Sequence, residues 1–153
     1  MVTELSRWLH VMGVTVWVGG MFFAYMALRP AAAQVLTPAQ RLPLWHRTLA
    51  RFFQWVWLSV GLLLASGLQM MLGLGGHDAP LYVKLMLVLG VIMMIVFAHV
   101  FFAPFGRLGR AVAAEDWPAG GVALGQIRRL VGINLVLGIV TVTIATAGRL
   151  LFR

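Results

Sequence analysis

Hydrophobic residues fall into four long runs along the chain, and most charged residues lie between them. The runs are Trp8–Leu28, Phe52–Leu74, Leu85–Phe105 and Leu130–Gly148, and none contains Asp, Glu, Lys or Arg. A helix needs about 20 apolar residues to cross the hydrocarbon layer of a membrane, so each run has about the length of one crossing. The pattern predicts an all-α integral membrane protein, folded as a four-transmembrane-helix antiparallel up-down bundle.

One such bundle accounts for the whole chain, so we expect a single domain over residues 1-153. Allowing for flanking residues, the spans are expected at about 8-28, 52-74, 82-105 and 129-149. Thr37-Pro38 resembles a helix cap followed by a first-turn proline, so the second helix is expected to begin well before the hydrocarbon, near Leu42. The first run is too long for the apolar part of a cleavable signal peptide and is expected to remain as a span.

Arginines are concentrated on alternate connections between the runs. The first and third connections hold eight of the twelve basic residues: Arg29, Arg41, Arg47, Arg51, Arg107, Arg110, Arg128 and Arg129. Short basic loops stay in the cytoplasm, so both termini, including Arg149 and Arg153, are expected on the periplasmic side of a bacterial-type inner (plasma) membrane. The net charge of +8 does not indicate nucleic acid, because these arginines flank spans and form no single basic face.

Composition excludes several classes of function. The chain has no cysteine, so disulfides, thiolate metal sites and iron–sulfur clusters are excluded. Its four acidic residues all lie outside the runs, and no nucleophile–base pair or carboxylate pair is present. Hydrolase and kinase activities are therefore excluded, and a proton-driven transporter lacks the buried carboxylate that it usually needs.

Two histidines lie inside apolar runs, where an ionisable side chain needs a partner or a ligand. His10 is expected near Gln69, Met70, Tyr82 and Lys84 in a cluster toward the periplasmic side. His99 is expected about 20 Å away, too far for the two imidazoles to share one metal atom.

The second cluster is expected around His99, with Arg128 and Asn134 beside it. His46 and His77 fall in connections and are expected to be solvated.

Imidazole is a ligand for haem iron and for copper, and Lys84 or an arginine is a suitable partner for haem propionates. The chain has nine methionines, whose spacing is typical of packing, because thioether clusters are absent from the loops. Met12, Met70 and Met86 are exceptions, because they lie at a depth similar to that of His10, where a methionine could be a second axial ligand. The candidate metal ligands are thus His10, His99, Met12 and Met86.

The stretch Trp8-Leu9-His10, followed by Val16-Trp17-Val18-Gly19-Gly20-Met21-Phe22, resembles the first helix of copper-resistance D (CopD) domain proteins. It is also similar, more distantly, to HemJ-type protoporphyrinogen oxidases, as is Leu81-Tyr82-Val83-Lys84-Leu85 with the later His99. The resemblance implies a haem b-binding bundle, in which His10 and Lys84 match the histidine and lysine of the family. Tyr82 stands where the HemJ pattern has a histidine, and a phenolate can also ligate haem iron.

These observations support three hypotheses. The first is a haem b protein that transfers electrons or oxidises a porphyrin or quinone, as a haem-dependent oxidoreductase with a redox partner. The second is copper binding or transport across the inner membrane through His10, Met12 and Met86. The third is a cofactor-free accessory subunit of a membrane complex. The lipid bilayer is the expected partner in all three, and association into a homo-oligomer stays open.

Overall fold

The computed structural model describes the backbone of residues 2–151 and the side chains of residues 3–148. The side chains of Arg149 and Arg153 lie outside the described residues. Four helices are long and apolar enough to cross a membrane: Thr3–Val35, Pro38–Gly73, Leu81–Ala113 and Trp117–Gly148. The described residues form no strand, and the predicted all-α, four-span bundle is confirmed.

The spans are built from six α-helices and three short turns. In chain order the α-helices are α1 (Val2–Phe23), α2 (Arg29–Val35), α3 (Pro38–Gly73), α4 (Leu81–Val100), α5 (Gly106–Ala113) and α6 (Trp117–Leu151). A π-helical turn, Ala24–Leu28, joins α1 to α2, and another, Phe101–Phe105, joins α4 to α5. A 3-10 turn, Gly76–Asp78, lies between α3 and α4.

Proline accounts for both π-helical turns. Pro104 lies inside the second turn, and Pro30 follows the first turn by two residues. A proline inside a helix has no N–H to donate and its ring crowds the carbonyl four residues earlier, and a local π-helical turn relieves this crowding. The first and third spans therefore run on through their prolines as continuous helical rods.

Specific residues begin and end α3. Thr37 is the N-cap, and Thr37 and Gln40 form a capping box around the first turn of the helix, which begins at Pro38. The predicted cap is confirmed, although the helix begins at Pro38 and not near Leu42. At the other end, Gly75 has φ 92°, a conformation that glycine adopts without strain, and there the chain turns toward α4.

The bundle consists of two antiparallel helix pairs, α1 with α3 and α4 with α6. In the first pair, Ser6 donates to Gln69. Further along the same pair, a Cβ added to Gly13 would lie 3.1 Å from Cγ of Leu63. In the second pair, a Cβ added to Gly148 would lie 2.7 Å from Cβ of Tyr82. Small residues thus let the backbones approach closely, as in other membrane helix pairs.

The helices extend beyond the charged residues that bound the hydrocarbon. We call the end of the bundle marked by Arg29, Arg51, Arg107 and Arg128 the arginine-rich end. The start of α1 at Val2, the end of α6 at Leu151 and the Gly76–Asp78 turn lie at the opposite end. Side chains beyond these arginines remain in the core, among them Leu42, Trp45 and Leu108. The helices are longer than the apolar runs because this extension is held by packing between helices.

Candidate metal-binding site

His10 lies at the interface of α1 and α3, toward the opposite end of the bundle. Its Nδ1 is 3.0 Å from Oγ of Ser66 on α3. The hydroxyl of Ser66 donates its one hydrogen to the carbonyl of Leu62, one turn earlier. With the hydrogen of Ser66 given to Leu62, we assign Ser66 as the acceptor and Nδ1 of His10 as the donor.

This arrangement fixes the tautomer of a neutral imidazole. With the hydrogen on Nδ1, the lone pair of His10 lies on Nε2. A metal-binding histidine is commonly held in this way, with one ring nitrogen bonded to a protein oxygen and the other left for the metal. His10 is only half-buried, so its ring is not sealed within the bundle.

The neighbours of His10 come from the same helix pair. A Cβ added to Gly67 would lie 3.2 Å from Cε1 of His10, so the imidazole fits against a glycine backbone. Met70 follows Ser66 by one helical turn, which puts the two residues on about the same face of α3. Met70 is half-buried. The α1–α3 interface thus supplies an imidazole and, one turn away, a thioether.

The contacts of His10 and of Tyr82 in the predicted cluster lie in different helix pairs. Tyr82 packs against Gly148 of α6, in the other helix pair, while His10 packs against α3. The prediction used depth in the membrane alone, and depth does not say which neighbouring helix a residue faces. Lys84 is half-buried near the start of α4.

The two predicted methionine ligands lie on α1 and α4 and not on α3, which carries Ser66. Met86 is half-buried on α4. Met12 is 40% exposed, because two residues along a helix turn it away from the face that carries His10.

The predicted cluster around His99 does not form within the described chain. The side chains of His99 and Arg128 are exposed on the surface of the bundle, whereas Asn134 is 3% exposed and points inward. The amide nitrogen of Asn134 donates to the carbonyl of Met93 over 3.3 Å. The sequence predicted how deep these residues lie in the membrane. It did not predict which side of each helix faces outward.

Asn134 borders a small cavity at the centre of the bundle. The cavity has a volume of about 10 Å³, room for about one water molecule, and Trp17, Met21 and Phe53 also line it. The amide oxygen of Asn134 is the one buried side-chain polar atom that lacks a partner among the described side chains.

The other two histidines differ from each other. His77 is fully exposed in its turn, as predicted. His46 was expected in a solvated connection, but it lies on α3, half-buried, with its ring stacked 5.2 Å from that of Phe105. A Cβ added to Gly109 would lie 2.9 Å from Nε2 of His46. The early start of α3 explains the difference, because it carries His46 into the extended core.

Sequence reasoning missed the residue that orients His10. Ser66 belongs to a recognisable stripe of Ser59, Ser66 and Gln69 on α3, at spacings that keep them on one face. That stripe indicates an interface, but it does not say which residue of α1 faces each serine. No group of three or more His, Asp or Glu side chains that could hold a metal is found among the described residues.

The chain matches one family model, described as Copper resistance protein D, over residues 46–147. The match includes the second, third and fourth spans and begins after the span that carries His10. Comparison with curated proteins gives no significant match, and comparison with solved structures gives none either. Because the matched region covers about two thirds of the chain, this four-span membrane protein belongs to the CopD family.

Proposed function

We propose that the protein binds copper at the membrane, with His10 as a ligand and the ion as its cargo or substrate. The observation that carries the proposal is the hydrogen bond from Nδ1 of His10 to Ser66, which leaves a lone pair on Nε2. Imidazole suits copper in both common oxidation states. The description of the family as Copper resistance protein D supports the choice of copper over other metals.

Met70 is the second ligand that we propose. A thioether is a soft ligand that favours Cu(I), and Met70 shares with Ser66 the helix face that His10 contacts. Met12 is not part of the proposed site, because it is exposed on another side of α1. Such a site has one imidazole and one thioether. It would hold copper near the start of α1, so the ion need not enter the centre of the bundle.

Haem b has less support as the ligand of this chain. The central cavity of about 10 Å³ is far smaller than the roughly 300–1,000 Å³ of a typical small-molecule site. His99 is exposed, so it cannot supply an axial ligand from inside the bundle. The residues that line the centre of the bundle therefore do not fit a porphyrin, and we derive no oxidase step from them.

A copper titration tests the proposal. The full-length protein in detergent would be titrated with Cu(I) under reducing conditions against a chromophoric chelator, together with His10→Ala and Met70→Leu. His99→Ala and Met12→Leu are matched controls, because they remove the same chemical groups from exposed positions. We expect one tightly held copper in the wild type and in both controls, a large loss in His10→Ala and a smaller loss in Met70→Leu.

Equal copper binding by the wild type and His10→Ala would overturn the proposal. An absorption spectrum of the same preparation tests the alternative, because bound haem gives a strong Soret band. A folded protein that holds neither copper nor haem and purifies with another membrane protein would instead favour an accessory subunit.

A further inference from the structure

An open groove runs between α5 and the first turns of α6, at the arginine-rich end of the bundle. Its volume is about 610 Å³, within the range of sites that take small ligands. Its floor is formed by small apolar residues: Ala111, Ala114, Ala119, Val122 and Ala123. Its polar lining residues are Arg107, Arg110, Asp116 and Gln126.

Arg107 and Arg110 both reach the same end of this groove. Arg107 donates from Nη2 to the amide oxygen of Gln126 over 2.7 Å, which holds its guanidinium across to α6. Arg110 folds back by one turn toward Gly106: its Nη1 would lie 3.7 Å from a Cβ added to that glycine. Both arginines thus line the groove, and Arg110 reaches back toward the first turn of α5 that carries Arg107.

No carboxylate neutralises this pair. Among the described side chains, the ion pairs within 4.0 Å are Arg7 with Glu4 and His77 with Asp78, both at the opposite end. Asp116 belongs to the groove, but it lies in the connection between α5 and α6, at the end remote from Arg107. Its Oδ1 accepts from the backbone N–H of Ala119 at the start of α6. The groove thus has a positive end and a negative end.

The positive end lies at the level where the hydrocarbon is expected to end. Lys84 and Arg107 are separated by about 23 residues of helix, or roughly 34 Å, close to the thickness of the hydrocarbon layer. Arg107 thus lies where lipid phosphates begin, and Asp116 lies beyond them. An anion that enters from the lipid meets the arginines first, whereas an anion from the aqueous phase meets the carboxylate of Asp116 first.

We propose that this groove binds the phosphate of an anionic phospholipid headgroup, held by Arg107 and Arg110. Gln126 takes one N–H of Arg107, and the remaining guanidinium donors are available for phosphate oxygens. The alanine floor leaves room for the glycerol part of the lipid. The site is independent of copper and lies at the other end of the bundle from His10.

Native mass spectrometry of the full-length protein in detergent tests this site. The probes are phosphatidylglycerol, which is anionic, and phosphatidylcholine, which carries the same phosphate without net charge. The wild type is expected to hold one phosphatidylglycerol in preference to phosphatidylcholine. R107Q/R110Q is expected to weaken phosphatidylglycerol binding by roughly tenfold or more.

R128Q/R129Q is the matched control, because it removes two exposed arginines close to the same membrane boundary but outside the groove. It is expected to keep phosphatidylglycerol binding within about twofold of the wild type. Val122→Trp is a second variant that fills the groove without changing charge, and it decides the question if R107Q/R110Q does not fold. Val122 is 66% exposed, so the larger side chain is accommodated outside the core.

Unchanged phosphatidylglycerol binding in folded R107Q/R110Q, or in Val122→Trp, would overturn the proposal. Equal losses in R107Q/R110Q and R128Q/R129Q would also overturn it, because they would show a general effect of charge. The final measurement adds inorganic phosphate at millimolar concentration to the same protein. Binding of this ion by the wild type, with no preference of the groove for phosphatidylglycerol over phosphatidylcholine, would assign the groove to soluble phosphate and contradict the lipid site.

Discussion

Nδ1 of His10 and Oγ of Ser66 lie 3.0 Å apart and join the first span to the second. The contact has a defined direction, because the hydrogen of Ser66 goes to the carbonyl of Leu62. Here the bond leaves the ring nitrogen that a metal would use, and the proposed copper site depends on it.

Ser66→Ala is expected to weaken copper binding by about tenfold while the fold is retained. Partners that orient a metal-binding histidine typically contribute about 10- to 100-fold in metal affinity. The measurement is the Cu(I) competition titration described above. Ser59→Ala is the control, since the buried hydroxyl of Ser59 donates to the carbonyl of Trp55 and does not contact His10. Equal effects of the two substitutions would mean that Ser66 acts only through helix packing.

Gly148→Ala is expected to destabilise the bundle by about 1–3 kcal/mol, a typical penalty for overpacking. The added Cβ would lie 2.7 Å from Cβ of Tyr82, an atom close to the backbone of α4 that cannot swing away. Gly125→Ala on the same helix is the control, since its Cβ would meet no atom within 4 Å. Thermal unfolding in detergent measures both, and a melting temperature of Gly148→Ala at or above that of the control would contradict the packing.

Asn134→Leu is expected to maintain or raise the free energy of unfolding. It removes a buried amide oxygen that has no partner among the described side chains, and such an atom typically costs about 1–3 kcal/mol. Asn134→Ala is the comparison, because it removes the same oxygen but enlarges the central cavity and should destabilise the protein. If both variants are destabilised equally, the amide itself stabilises the bundle, through its bond to Met93 or a bound water.

Both termini are expected on the periplasmic side, since eight arginines lie on the first and third connections. The chain has no cysteine, so single cysteines can be introduced without background. His77→Cys should react with a membrane-impermeant maleimide in intact cells. Ala113→Cys, exposed at the end of α5, should react only after the membrane is opened. The reverse labelling pattern would invert the topology.

The sequence predicted the fold well because membrane crossing imposes a simple requirement of length and polarity. Four uncharged runs are enough to identify four spans, and the charged residues that flank each run mark where the hydrocarbon-crossing part ends. The sequence underestimated the length of the helices at the arginine-rich end. There Leu42 and Leu108 remain buried although arginines precede or follow them.

The candidate site was harder to predict, for a geometric reason. His10 was identified from its depth in an apolar run, but its partner depends on the angle at which α1 meets α3. The same angle turns Met12 outward, and the equivalent rotation of α4 exposes His99. Hydrophobicity does not fix rotation in a membrane helix, because lipid tails and helix interiors are both apolar.

The most direct test of the central claim is X-ray absorption at the copper edge, on copper-loaded wild type, His10→Ala and Met70→Leu. The account predicts imidazole nitrogen and thioether sulfur around the copper in the wild type. Met70→Leu should lose the sulfur signal, and His10→Ala should lose the imidazole signal along with most of the metal. An unchanged copper environment in His10→Ala would contradict the proposed copper site.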